Sequence, residues 1–286
     1  MQFHTPVTDI IRRRKSIRSY LDRPVEEEKR EALNQFLSSN TTGPFGTKSR
    51  FLFITATPED RKALRGLITY GVIKNPAGFI IGAVEKKPHH LEDFGYLMEQ
   101  NILMATDLGL GTCWLGGTYN SSGFARKMAL QPHEIIPAVA SVGYAVPRLS
   151  PVDSLIRMSS GANRRKSWST LFFQDQQALS TNDAGRYATP LEMLRLAPSA
   201  SNFQPWRIVR AAHTQTFHFY LKRTPAVKQI AAFKADLQLV DMGIAMCHFA
   251  LAAGEEGLKG RWEIHDPLLK GDVGKMDYIA TWVGGQ

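Results

Sequence analysis

The 286-residue sequence is 43% hydrophobic and 21% charged, a composition that excludes a disordered or fibrous chain and suits a globular protein with one large or two smaller cores. The formal net charge of +9 indicates either an anionic partner or simply a basic surface, and most lysines and arginines are interspersed with acids, which favours the second interpretation for them. Two basic clusters stand apart, at residues 12–15 and 164–166, and neither contains interleaved aromatic stacking residues, so we expect a phosphate site rather than a nucleic-acid surface.

The N-terminal stretch has no uninterrupted apolar region, and no apolar run approaches the roughly 20 residues that cross a bilayer, so we expect neither a signal peptide nor a membrane segment. Cys113 and Cys247 fall in segments that are predicted to be a buried strand and a buried helix. They are expected to be reduced thiols, which points to a cytoplasmic protein.

In the first half of the chain, helices and strands are mixed. A short helix precedes the first basic cluster, and the remaining predicted elements are a helix at 26–37, strands at 51–55 and 78–84 with a helix opening at Pro58 between them, a long helix at 91–108, a strand around Cys113, a helix at 123–130 and a strand at 138–144.

Residues 145–186 are predicted to be a connection rich in Ser, Asn, Asp and basic residues, with one apolar patch at 168–173. The elements predicted after it are a helix at 190–196, strands at 207–211 and 217–221, a helix at 237–253, and strands near Trp262 and at 278–283. The chain lacks a regular strand–helix alternation and a GxGxxG motif, so we predict an α+β fold rather than a dinucleotide-binding one. We divide it into a first half (1–150), a connection carrying the basic cluster (151–187) and a second, shorter half (188–286).

The two halves resemble each other at one constant offset. Without gaps, Asp93, Gly95, Met98, Gly109 and Trp114 align with Asp241, Gly243, Met246, Gly257 and Trp262. An earlier pair of segments, residues 43–54 and 199–210, also matches in the same order, and each is a polar loop that leads into a strand. Chance similarity between two buried helix–turn–strand units is the alternative, but this many matches in one register favours an internal duplication.

The two long helices are apolar nearly all round, so we predict that they cross each other at a pseudo-two-fold interface. His248 lies on such an apolar face and has no second ligand at metal-binding spacing. It is predicted to be a buried, hydrogen-bonded imidazole, and no metal site is expected.

The segment 197–207 (APSASNFQPWR) is the most informative stretch of the chain. Pro198 ends a helix, and the loop that follows offers hydrogen-bond donors from Ser199, Ser201, Asn202 and Gln204. Such a loop suits an anionic or heterocyclic ligand, but it equally suits the cap of a strand. The residues alone leave both interpretations open.

Two further segments offer ligand contacts. Residues 12–20 (RRRKSIRSY) place several cations and a serine at a helix end, where they form a phosphate clamp or neutralise the helix dipole. Residues 108–117 (LGLGTCWLGG) end in Gly116 and Gly117, where the backbone could approach a flat ring without an intervening Cβ; a turn explains these glycines equally well.

Together these segments resemble the nitroreductase family. The family has an early R-R-S-x-R-x-[FY] segment, a P-S-x-x-N-x-Q-P-W loop, a long helix ending in G-L-G-T-x-W-x-G-G, a G-Y strand and a late basic pair. The counterparts here lie at 14–20, 198–206, 109–117, 143–144 and 164–166. Lys15 replaces an arginine common in the family.

The resemblance implies that FMN is the cofactor, and it assigns residues to it. The phosphate would be held by Arg14, Lys15, Ser16, Arg164 and Arg165. The backbone at Leu115, Gly116 and Gly117 would approach the flavin ring. The loop that reaches the flavin from the other half comprises Ser199, Ala200, Ser201, Asn202 and Gln204.

The order of the motifs departs from that of an ordinary family member. The intact P-S-x-x-N loop lies in the second half, the other motifs lie in the first, and the first half's own loop reads TTGPFGTKS. The chain is therefore similar to a fused, single-chain pseudo-dimer that keeps one flavin site. It would be a monomer in this sense, although further dimerisation is open, with neither nucleic acid nor membrane as a partner.

The implied activity is the transfer of two electrons from NADH or NADPH to a nitro compound, a quinone or a similar small acceptor. No side chain is nominated as a catalytic residue, because the flavin would carry the redox chemistry. The alternative is a protein that binds a flavin or another ligand without turnover.

Overall fold

The structure, a computed structural model, describes residues 3–55, 73–116, 121–147, 164–174, 177–224 and 235–285. Its helices are α1 (Val7–Arg13), α2 (Glu27–Ser39), α3 (His90–Asp107), α4 (Ser121–Met128), α5 (Trp168–Leu171), α6 (Thr181–Ala184), α7 (Ala188–Arg195) and α8 (Leu237–Glu255). Its strands are β1 (Ser49–Thr55), β2 (Gly78–Glu85), β3 (Gly111–Gly116), β4 (Glu134–Ile135), β5 (Ala138–Gly143), β6 (Phe172–Gln174), β7 (Gln177–Ala178), β8 (Trp206–Arg210), β9 (Thr216–Leu221), β10 (Gly260–Glu263) and β11 (Asp277–Gly284). The helix predicted to open at Pro58 lies outside the described residues.

Two sheets repeat the same topology, one in each half. The strand order is β3-β5-β2-β1 in the first sheet and β10-β11-β9-β8 in the second, and every neighbouring pair in these two series is antiparallel. Each series arises in the same chain order, with a long helix between its second and third elements in sequence. The strand-for-strand correspondence confirms the predicted α+β fold with duplicated halves.

The long helices α3 and α8 cross in direct backbone contact at the two glycines that the repeat aligns. A Cβ on Gly95 would lie 2.2 Å from the carbonyl oxygen of Val240, and a Cβ on Gly243 would lie 1.9 Å from the carbonyl oxygen of Glu92. No side chain fits at either position. The close approach of the two helix backbones therefore explains why both aligned positions are glycine. This crossing confirms the predicted interface.

Both long helices are buried, and the main apolar core contains residues from both halves. By length and composition α8 could cross a membrane, but 78% of its apolar window is buried inside the protein. This burial within the fold explains why α8 is apolar nearly all round.

The ends of α3 and α8 are also equivalent. Gly109 and Gly257 follow them with φ angles of +78° and +70°, a conformation that glycine adopts without a Cβ penalty. In each case the residue after the glycine donates its N–H to a carbonyl oxygen five residues earlier, at 2.9 and 2.8 Å. This Schellman arrangement satisfies carbonyls that the helix end would otherwise leave without a partner.

The connection between the halves is more regular than its composition predicts. It contains α5, β6, β7 and α6, and β6 pairs in parallel with β8, so it extends the sheet of the second half. The apolar patch at 168–173 supplies the reason, because Leu171 and Phe172 are fully buried in the shared core. Since β6 closely follows residues 164–166 in the chain and pairs with β8, these basic residues lie beside the second half.

Two pairs of aligned positions break the symmetry of the interface. At the offset that matches the glycines, Glu99 of α3 corresponds to Cys247 of α8, and Gln100 corresponds to His248. Glu99, Cys247 and His248 are all buried. The two sides of the pseudo-two-fold axis therefore carry different chemistry.

Candidate functional site

Helix α1 is held over the interface by both long helices. Glu255, at the end of α8, accepts hydrogen bonds from the first two N–H groups of α1, and Asp107, at the end of α3, accepts from the Thr5 hydroxyl at 2.7 Å. The apolar face of α1 packs against residues of α3, α7 and α8. The helix therefore ends beside both halves, and the basic segment begins there.

Arg14 is the first residue beyond α1, and it is only 8% exposed. Its Nε lies 3.7 Å from Oε1 of the buried Glu99 and has no hydrogen-bond partner among the described residues. Ser16 then forms a bridge with Thr112, so the chain runs beside β3. Lys15 is exposed and Ser16 is half-buried.

The loop at 199–204 is fixed to the helix α8 by an aspartate. Oδ1 of Asp241 accepts the N–H of Ala200 at 2.9 Å, and burial raises the pKa of Asp241 well above its ordinary value. The aligned Asp93 plays the same part in the first half, where it accepts the N–H groups of Phe45 and Thr47 at 2.9 and 2.8 Å. The two loops therefore occupy equivalent places in the duplicated fold.

The backbone of the second-half loop is strained. Ser201, Asn202 and Gln204 have φ angles of +49°, +57° and +48°, in the left-handed region that non-glycine residues seldom adopt. The hydroxyl of Ser199 accepts the N–H of Gln204 at 2.9 Å and closes the turn. Such strain persists only where the surrounding contacts enforce it, and it concentrates at binding sites.

The basic segment of the connection is attached to this loop. Arg165 donates from Nη1 to Oδ1 of Asn202 at 3.2 Å, and the amide of Asn202 donates to the carbonyl of Arg164 at 2.9 Å. Gln204 is buried, and its Oε1 accepts the N–H of Lys166 at 2.8 Å. Gln204 thus holds the basic segment in place, while Ser201 is exposed.

Arg14 and Arg165 converge, although they lie far apart in sequence. Burial, followed by the charges of Arg14 and Arg195, lowers the pKa of Arg165 to about 10. Nearby, burial and the charges of Arg207 and Lys222 lower the pKa of Lys166 to about 8. An anion between Arg14 and Arg165 would relieve this repulsion through charge-assisted hydrogen bonds, so the group of cations fits a phosphate.

Gly116 lies at the end of β3, where it meets the second half. A Cβ there would lie 2.6 Å from Cδ1 of Leu237, the first residue of α8. Close packing against this side chain accounts for the glycine, and the approach of Gly116 and the half-buried Leu115 to a flat ring stays a prediction. Gly117 lies outside the described residues.

A buried polar network lies behind Arg14. Oε2 of Glu99 accepts the indole N–H of Trp114 at 2.7 Å, and Oε1 is 2.9 Å from Nε2 of His248. Nδ1 of His248 is 2.9 Å from the carbonyl oxygen of Met193 in α7. The hydrogen-bonded imidazole that the sequence predicted is confirmed, but its link to Arg14 through Glu99 was not foreseen.

Glu99 and Asp241 are site residues that the sequence reasoning missed. Each is an acid in a largely apolar helix, Glu99 in the middle of α3 and Asp241 near the start of α8, and ionisable residues are seldom fully buried without a partner. This pattern could have singled them out. Their partners in distant segments could not be identified from spacing.

The chain matches known proteins in both sequence and structure. A family model described as "Putative TM nitroreductase" matches residues 6–253. A structure described as a putative nitroreductase from Thermotoga maritima is 18% identical with a TM-score of 0.62, and the match covers 99% of this chain and 95% of that chain. No curated protein matches.

Shorter matches cover about half of this chain. One is a structure described as a putative nitroreductase in complex with FMN from Desulfovibrio desulfuricans, at 24% identity and a TM-score of 0.39, covering 53% of this chain and 95% of that chain. Another, from Exiguobacterium sibiricum and described in the same words, has 17% identity and a TM-score of 0.42 and covers 54% and 97%.

The match to the Thermotoga maritima structure extends through both halves and shows a shared fold. The family model likewise spans the first half, the connection and most of the second half. The resemblance noted in the sequence is therefore confirmed, and the chain belongs to the TM nitroreductase family.

Proposed function

We propose that the protein is an FMN-dependent oxidoreductase that passes two electrons from NADH or NADPH to a small acceptor such as a nitro compound or a quinone. Membership of the nitroreductase family supports this proposal. The observation that carries it is the convergence of Arg14, from the start of the first half, with Arg165 and Asn202 beside the second-half loop.

The residues at this convergence fit a flavin phosphate. A phosphate ester carries nearly two negative charges and three acceptor oxygens, and two guanidinium groups can each donate to it. Arg14 also has a buried Nε without a hydrogen-bond partner among the described residues. We assign the phosphate to Arg14, Lys15, Ser16, Arg164 and Arg165.

The second-half loop would contact the rest of the cofactor. Its strained backbone and its anchor on Asp241 hold it in one conformation, so little ordering is needed when a ligand binds. The proposed contacts are Ser199, Ala200, Ser201, Asn202 and Gln204, together with the backbone at Leu115, Gly116 and Gly117.

Bound FMN would supply the redox chemistry, by accepting hydride from a reduced nicotinamide and returning the electron pair to the acceptor. The protein's own part is to bind and orient. The cations that hold the phosphate also place positive charge beside a cofactor that becomes more negative on reduction, and this favours the reduced form. No side chain is proposed as a nucleophile or a general base.

We expect one FMN per chain. Arg165, close to Arg14, contacts Asn202 of the second-half loop, whereas the equivalent loop of the first half reads GPFGTK in place of SASNFQ. The measurement is the ratio of released flavin to protein after reconstitution with excess FMN and gel filtration. A ratio near two would show that the first-half loop also holds a flavin.

NADH or NADPH is expected to bleach the flavin absorbance of the reconstituted protein under anaerobic conditions. Addition of a nitro compound or a quinone should then restore the absorbance. Dithionite serves as the control, because it reduces a bound flavin without a nicotinamide site. A protein that dithionite bleaches but neither nicotinamide does would be a flavin binder without turnover.

A further inference from the structure

We propose that His248 is a positioning residue whose proton allows Glu99 to orient Arg14 without neutralising it. This inference rests on the proposed function, in which Arg14 binds the FMN phosphate. The residues involved come from both halves, since Arg14 and Glu99 belong to the first and His248 to the second.

The hydrogen bonds of His248 determine where its hydrogens lie. Nδ1 is 2.9 Å from the carbonyl oxygen of Met193, and a carbonyl only accepts, so Nδ1 carries a hydrogen. Nε2 is 2.9 Å from Oε1 of Glu99, and one hydrogen must lie between these two atoms. Assigned from these partners, the pair is either an imidazolium with a carboxylate or an imidazole with a carboxylic acid.

Both assignments give the Glu99–His248 pair no net charge. Arg14, whose Nε is 3.7 Å from Oε1 of Glu99, then keeps its full positive charge toward an anion. Without the shared proton, Glu99 would be a carboxylate beside Arg14 and would offset that charge. The influence of the Glu99 charge on Arg14 is large, because the side chains of Glu99 and His248 are fully buried and electrostatic interactions are weakly screened away from water.

The network occurs on one side of the pseudo-two-fold axis. The positions that align with Glu99 and His248 are Cys247 and Gln100, neither of which brings a comparable acid–imidazole pair. The side that has the network is the side on which Arg14 lies. A hydrogen bond that served only to join the two long helices would have no reason to involve Arg14.

The experiment measures FMN and riboflavin dissociation constants for the flavin-free protein, His248→Gln, Glu99→Gln and the double variant. In His248→Gln the amide side chain can still donate a hydrogen bond to Glu99, but it supplies no proton that would neutralise the carboxylate. We expect FMN binding to weaken about tenfold, as for the loss of one charge-assisted contact, with riboflavin unaffected. In the double variant the carboxylate is also gone, so FMN affinity should return to within about threefold of the parent.

Glu99→Gln alone provides a second measurement that does not depend on whether His248→Gln folds. A neutral amide opposite a neutral imidazole leaves the charge of Arg14 intact, so FMN affinity should stay within about threefold of the parent. Thermal unfolding of each variant shows that the folded state is retained.

The inference is overturned if His248→Gln affects both ligands equally, if it leaves FMN unchanged, or if the double variant binds FMN no better than His248→Gln. It is also overturned if Glu99→Gln alone weakens FMN about tenfold. If the parent protein binds FMN no more tightly than riboflavin, the phosphate assignment of the proposed function is itself wrong. That result is obtained with the parent protein alone. It is therefore distinguishable from a failure of the inference about His248, which is seen only in the variants.

Discussion

Replacing Arg14 or Arg165 by alanine is expected to weaken FMN binding by roughly 1.5–3 kcal/mol, the range for a hydrogen bond to a charged group. Riboflavin, which lacks the phosphate, should bind almost as it does to the parent protein. The expectation follows from the convergence of the two guanidinium groups, because burial and the nearby charge of Arg14 lower the pKa of Arg165 in the absence of an anion. The measurement is a pair of fluorescence titrations of flavin-free protein.

Arg261→Ala is the matched control for these variants. Arg261 lies in β10, its side chain is 74% exposed, and it pairs with Glu263. Because β10 is at the edge of the second sheet opposite to β6 and β7, removal of the Arg261 side chain takes away one positive charge without touching the basic segment, so the affinities for FMN and riboflavin should both be retained. An equal loss of FMN and riboflavin affinity in the Arg14 and Arg165 variants would mean that these arginines act through folding, and the phosphate assignment would fail.

Gly243→Ala is expected to destabilise the protein by about 3 kcal/mol or more, at the upper end of the range for overpacking. The new Cβ would lie 1.9 Å from the carbonyl oxygen of Glu92, which belongs to a helix backbone and cannot turn aside as a side chain can. The helices α3 and α8 would have to separate, and the core that they share would loosen. Urea denaturation measures the change in the free energy of unfolding.

Gly254→Ala, in the same helix, is the control for this prediction. Apart from its chain neighbours and the adjoining helix backbone, no atom lies within 4 Å of the Cβ position at Gly254, so the substitution meets no obstacle. Alanine favours a helix over glycine, and the variant should be more stable by about 0.5–1 kcal/mol. Equal stability of the Gly243→Ala variant and the parent would contradict the direct contact of the two helix backbones.

Much of the fold could be predicted from the sequence because it is encoded locally. The long helices are continuous apolar segments, their ends are marked by Gly109 and Gly257, and the aligned glycines at the crossing already indicated a duplication. The parallel pairing of β6 with β8 could not be predicted. The strand β6 has three residues, too few to show a periodicity, and its partner lies in another part of the chain.

The candidate site was predictable to a similar extent. The family motifs named Arg14, Arg165 and Asn202, and the structure brings Arg165 into contact with Asn202 and close to Arg14. The motifs gave no indication that Glu99 lies behind Arg14, because that contact depends on how α1 packs over α3. The left-handed backbone at Ser201 was also hidden, since nothing in a serine signals a positive φ.

Equivalent positions on the two sides of the interface carry different residues, so the two sides can evolve separately. In a symmetric homodimer, a substitution at the contact between subunits is made twice, and it must be tolerated on both sides of the axis. In a fused chain each position mutates alone. An acid can therefore be gained opposite one arginine while a cysteine occupies the matching position, and a ligand site can be refined on one side without any effect on its twin. Fusion turns a pair of constrained copies into two independent templates, one of which can take up an unrelated task.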